Sequence, residues 1–138
     1  MLKYSLKLLI FLAIVLLLSS CAGAGKVKVG LDEEFSLSVG QTALITGENL
    51  QIRFEEVTED SRCPKNATCI WEGRVSCAVE ISDNNSPHRM TLAQPGLTDQ
   101  YTIETYEDYQ LTFKVEPYPE VGREIPPNEY RLLLIVSK

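Results

Sequence analysis

From Glu34 onward, apolar and polar residues take turns along short segments that end in glycine, proline, asparagine or aspartate. Phe35, Leu37 and Val39 alternate with Glu34, Ser36 and Ser38, and Leu50, Ile52 and Phe54 alternate with Gln51, Arg53 and Glu55. Val75, Cys77, Val79 and Ile81 do the same against Arg74, Ser76, Ala78 and Glu80. A period of two sends successive side chains to opposite faces of an extended chain, so each segment has one face for a core and one for water. Past Cys21 no window keeps the roughly 3.6-residue apolar spacing of a helix. The chain is therefore expected to be all-β.

The same reading extends to Thr42–Thr46, to a weaker segment from His88 to Gln94, to Tyr101–Tyr106, and to Tyr109–Val115, which Pro117 and Pro119 close. Gly40-Gln41, Gly47-Glu48-Asn49, the polar run 82–87 and Pro95-Gly96 supply the turns. Tyr130–Val136 is apolar on both faces, which predicts a central strand covered on both sides. Eight or nine short strands at this spacing point to an antiparallel β-sandwich in one domain, residues 33–138, with a barrel as the lesser alternative.

Ahead of that domain, Lys3 and Lys7 precede an apolar run from Leu8 to Leu18, followed by Leu18-Ser19-Ser20-Cys21-Ala22. The run is shorter than the roughly 20 residues a membrane span needs and has the anatomy of a signal peptide, residues 1–20. Its end resembles the lipobox of bacterial lipoproteins, which implies lipid on Cys21, cleavage before it, and a protein tethered to the cell-envelope membrane, the outer one in a Gram-negative cell. Two or more acyl chains anchor stably where one does not. Residues 21–32, rich in glycine, alanine and lysine, are read as the lipidated tether. Removing residues 1–20 takes the formal charge from −6 to −8. Such an acidic surface argues against nucleic acid as a partner.

With Cys21 assigned to lipid, three cysteines remain for an oxidising compartment. Cys63 and Cys69 flank Pro64, Lys65 and Asn66, turn formers that suit a small ring, and their bridge is expected. Cys77 shares the apolar face of its strand and is expected as a buried free thiol. Pairing of Cys77 with Cys63 or Cys69, or with another molecule, is the alternative. The segment Asp60–Gly73 is the one stretch that alternation does not explain. Within it Arg62 has Asp60 and Glu72 within reach for charge-assisted hydrogen bonds. Trp71 is expected to shield the bridge, and Gly73 to allow a close approach or a positive φ.

Asp60-Ser61-Arg62-Cys63-Pro64 followed by Cys69-Ile70-Trp71-Glu72-Gly73 resembles a motif of small bacterial lipoproteins and secreted proteins of unknown function. A looser likeness runs from Phe35 to Pro119. The resemblance implies the disulfide and the β fold, and it implies no activity.

His88 is the single histidine, no serine sits in a nucleophile elbow, and Cys63 and Cys69 lack Cys-x-x-Cys spacing. His88 and Met90 share a strand face as copper(I) ligands would, although an edge histidine and a core methionine explain them better. No catalytic residue, metal or cofactor is therefore assigned. The expectation is a non-enzymatic, lipid-anchored binding or structural module of the envelope that meets an envelope protein through Asp60–Gly73. The alternative is an inhibitor that inserts the 63–69 loop into an envelope-targeting hydrolase.

Overall fold

Among the residues described in the computed structural model, 25–84 and 86–138, nine strands build two sheets. They are β1 (Lys26–Val29), β2 (Glu34–Ser38), β3 (Thr42–Ile45), β4 (Leu50–Asp60), β5 (Arg74–Asp83), β6 (Ser86–Pro95), β7 (Thr102–Tyr106), β8 (Tyr109–Glu116) and β9 (Arg131–Ser137). The five-stranded sheet has the order β1-β3-β4-β5-β6 and the four-stranded sheet the order β2-β9-β8-β7. Neither closes on itself, so the architecture is a sandwich and not a barrel. All pairings are antiparallel except β1 with β3. Residues 1–24, and with them the expected signal peptide and Cys21, lie outside the described residues.

The core forms where the inward parities of both sheets meet. Ile52, Phe54, Val75, Cys77, Val79, Ile81 and Leu92 come from one sheet, and Leu37, Leu111, Phe113, Val115, Leu132 and Leu134 from the other. Each fully buried side chain of this size contributes about 1.5–3 kcal/mol, which is what holds two sheets face to face. Cys77 is wholly buried and free, as its strand parity predicts. Burial pushes its thiol up to about 12.

Three boundaries and one burial pattern differ from the sequence reading. Lys26–Val29, placed in the tether, is the parallel strand β1, because Val27 and Val29 rest half-buried against the core and the Thr46 N–H donates to the Val29 carbonyl at 2.7 Å. β4 continues past Glu55 to Asp60, and two register shifts, at Phe54/Glu56 and Val57/Glu59, explain why its alternation fades there. β6 begins at Ser86 and holds Pro87, which an edge strand tolerates. β9 is central, as expected, yet only one of its faces is fully covered: Leu132, Leu134 and Val136 are buried while Leu133 and Ile135 are half-buried. On that outer face Tyr101 reaches across the sheet, its ring 5.6 Å from Lys114 Nζ and its hydroxyl donating to Glu34 on the far strand. A single tyrosine stands where a covering layer would be, which accounts for the apolar outer parity.

Candidate functional site

β4 and β5 leave the sheet together, and their ladder continues irregularly into the long connection. The Ser61 N–H donates to the Arg74 carbonyl at 2.8 Å, and the Cys63 N–H to the Glu72 carbonyl at 3.0 Å. Gly73 sits at φ +68, and a Cβ on it would fall 1.8 Å from the Ser61 carbonyl oxygen, so both halves of the sequence expectation for this glycine hold. Gly96, at the end of β6, packs as closely: a Cβ there would stand 1.9 Å from the Glu72 carbonyl oxygen. Cys63 and Cys69 are bridged, with Cα atoms 5.9 Å apart. Closing so short a ring is worth about 2.4 kcal/mol in chain-entropy terms.

Arg62 turns away from this loop into the sandwich. Its side chain is fully buried, and Nε and Nη2 donate to the two oxygens of Asp60 at 2.8 and 2.6 Å. Nη1 and Nη2 also donate to the carbonyls of Val115 and Pro117 at 2.9 and 3.0 Å. The Tyr118 ring stacks 5.0 Å from the guanidinium, and the Tyr130 hydroxyl donates to Asp60 at 3.0 Å. Burial, followed by the charge of Asp60, pushes the Tyr130 phenol up to about 12. A buried guanidinium is tolerated only when charge and donors are met this completely.

These bonds have a definite geometric cause. β7 starts at Thr102, opposite Phe113, so from Lys114 onward β8 keeps β9 on one side and has no strand on the other. The Val115 carbonyl therefore takes Arg62, and the Val115 N–H donates to Gln94 Oε1 at 2.9 Å. Gln94 is 1% exposed and donates in turn to the Gln100 carbonyl at 2.9 Å. Arg62, two residues past the end of β4, and Gln94, in β6, complete the open edge of the other sheet.

The residues expected to work together in Asp60–Gly73 divide. Asp60, Arg62, Cys63 and Gly73 form one internal clasp, and Pro64 lies beside it, lining a cleft. Glu72 is not part of the clasp: its side chain is exposed, and only its backbone carbonyl takes part. Trp71 does not shield the disulfide. It is 77% exposed, with Ile70 beside it at 94%, whereas Cys63 is closed in without it. The Tyr118 hydroxyl donates to the Cys63 carbonyl at 2.9 Å, and Cys63 Sγ stands 3.7 Å from the Ala67 carbonyl oxygen.

The bonds that Gln94, Tyr118 and Tyr130 make here have no counterpart in the sequence reading. Gln94 alone carried a signal, as a polar residue on the inward parity of Met90 and Leu92. An open cleft of about 340 Å³ lies against the loop, lined by Pro64, Lys65, Ala67, Leu97, Asp99 and Tyr118 among others. Lys65, Asp99 and Tyr118 are its ionisable side chains, and they form no nucleophile–base pair. The bond from the Lys65 N–H to the Pro119 carbonyl, 2.9 Å, fixes its floor. His88 lies far from it, exposed near the opposite end of β6 with its ring 6.0 Å from Tyr106, while Met90 packs on the core. Among the described residues no group of three histidine, cysteine or carboxylate side chains is placed to hold a metal. No protein-family model, curated protein or solved structure matches the chain.

Proposed function

We propose that this protein is a non-enzymatic recognition module of the bacterial cell envelope, anchored by lipid on Cys21, that makes its contacts through the disulfide-loop end. One observation carries the reading. Ile70 and Trp71, the most exposed large apolar side chains of the described residues, stand on a loop immobilised by a bridge, a buried arginine and a close-packed glycine pair. Large apolar side chains cost stability or solubility when displayed, and holding them rigid lowers the entropy lost on binding. The lipobox and the motif Asp60–Gly73 support the envelope assignment by resemblance.

Two measurements test it. Palmitate labelling of cells should mark the wild type and not a Cys21→Ser variant. A photo-crosslinking side chain at position 65 should form adducts with an envelope component in living cells. Absence of labelling removes the anchor, and absence of adducts at 65, with adducts from the outer face of β9 instead, moves the contact surface elsewhere.

A further inference from the structure

The direction of β1 says which way the domain faces. β4 runs towards the disulfide loop, β3 runs against β4, and β1 runs parallel to β3, so the chain ahead of Lys26 arrives from the disulfide-loop side. The hydrogen bond from the Thr42 N–H to the Gly25 carbonyl, 3.4 Å, continues that course. From Cys21 to Lys26 the chain spans at most about 18 Å, whatever path it takes. Lys26 stands level with Thr42, Arg53 and Glu80, and the five steps of β5 from Glu80 to Val75, about 17 Å at about 3.3 Å per residue, separate that level from the start of the disulfide loop. A tether extended along the course of β1 therefore brings Cys21 level with the start of that loop, and the loop tip then meets the bilayer. Among the described residues, four of the five exposed large apolar side chains gather at that same end, the fifth being Ile103 on β7. Ile70 and Trp71 are on the loop; Leu97, 66% exposed, follows Gly96, whose N–H donates to the Gly73 carbonyl; Val121, 62% exposed, follows Glu120, which bridges to Lys65.

We propose that the occupant of this surface is the lipid bilayer itself: Ile70 and Trp71 enter its interfacial zone beside the anchor, with Leu97 and Val121 at the margin. The proposal rests on the anchored reading above and names the partner of the surface assigned there. Tryptophan suits the boundary between headgroups and acyl chains, having an apolar body and one polar N–H. The contact is apolar and not electrostatic, because exposed Glu72, Asp99, Glu120 and Glu124 rim this end against exposed Lys65, while Arg74 and Arg123 pair with Glu59 and Glu129. Anionic lipid should therefore weaken it, and added salt should restore it.

Trp71 is the single tryptophan of the chain, so native fluorescence reads this contact directly. The acylated protein, purified from cells expressing the full chain, is reconstituted into phosphatidylethanolamine–phosphatidylcholine vesicles, with and without bromine on the upper acyl chain. Emission should move to shorter wavelength, be quenched by the brominated lipid and become shielded from aqueous iodide. Replacing part of the lipid by phosphatidylglycerol should reverse part of that shift. A Trp71→Phe, Asp108→Trp variant, whose tryptophan sits on the opposite end, should stay water-like in the same vesicles.

Protein that floats with vesicles while Trp71 stays water-like and open to iodide overturns the inference and leaves the anchor intact. Equal quenching at position 108, or a deeper shift with anionic lipid, also overturns it. Failure to float would show instead that the anchored reading has failed, and the inference with it.

Discussion

The two ends of the sandwich solve the problem of chain reversal differently. At one end short turns join β3 to β4, β5 to β6 and β7 to β8, and the tying contacts are at the surface. Tyr109 donates to Glu48 at 2.5 Å, and Lys138 Nζ meets the same carboxylate at 3.0 Å. At the other end the connection from β4 to β5 is long, and it is held from within by Arg62 and Asp60, while Gln94 closes the sheet edge beside them. Tight turns between paired strands need little else, because the ladder fixes their ends. A long connection must have its polar backbone satisfied and its entropy offset by something, and here the sheet edge left open past Thr102 supplies the acceptors.

That contrast can be broken most directly at Arg62. Arg62→Ala leaves Asp60 and the Val115 and Pro117 carbonyls without their donor, and a loss of about 3–5 kcal/mol is expected, read as a lower urea midpoint. Arg62→Lys should recover only part of it, because an ammonium cannot reach both oxygens of Asp60 and both carbonyls in one geometry. Next comes the bridge: Cys63→Ala with Cys69→Ala should cost about 2.4 kcal/mol and leave the far-UV spectrum unchanged.

Gln94→Leu comes third, at about 1–3 kcal/mol, since the Val115 N–H is then buried without an acceptor. A midpoint equal to wild type would mean that another group, or water, closes that edge.

Alkaline titration gives a gentler effect. Cys77 and Tyr130 hold their protons to about 12 in the fold, against ordinary values of 9.0 and 10.0. The unfolded chain releases those protons first, so their contribution is complete below pH 9 and drains away as the pH rises towards 12. Unfolding midpoints should be flat from pH 7 to about 9 and fall above it, and the native thiol should resist alkylation until the protein unfolds. The smallest change belongs to the short-turn end. Lys138→Ala should cost less than about 1 kcal/mol, as solvent-exposed ion pairs do; a loss as large as that at Arg62 would erase the distinction between the ends.

Period-two patterning was enough to locate most strands, and the parity of Cys77 was enough to bury it. Both are local properties, decided by which side of an extended chain a residue leaves. The residues that hold the loop answer to a longer scale. Val115, Pro117 and Tyr118 lie more than 50 positions beyond Arg62, and Tyr130 lies 70 beyond Asp60. Nothing near Asp60 or Arg62 in the chain marks these partners, and Glu72, which is near, was the wrong one. Trp71 misled for a related reason: large apolar area predicts burial on average, whereas its position on a loop already closed beneath it leaves it outside. β1 escaped because four residues are too few to establish an alternation, and a parallel edge strand needs no turn signal.

The short parallel strand at the start of the domain also decides how the fold answers a mechanical load. Traction on the chain ahead of Gly25 towards the disulfide-loop side acts along β1, parallel to its neighbour β3. Its backbone bonds to β3 are then sheared together and not peeled apart one after another, so the first element to meet a tug is also set in the orientation that yields last.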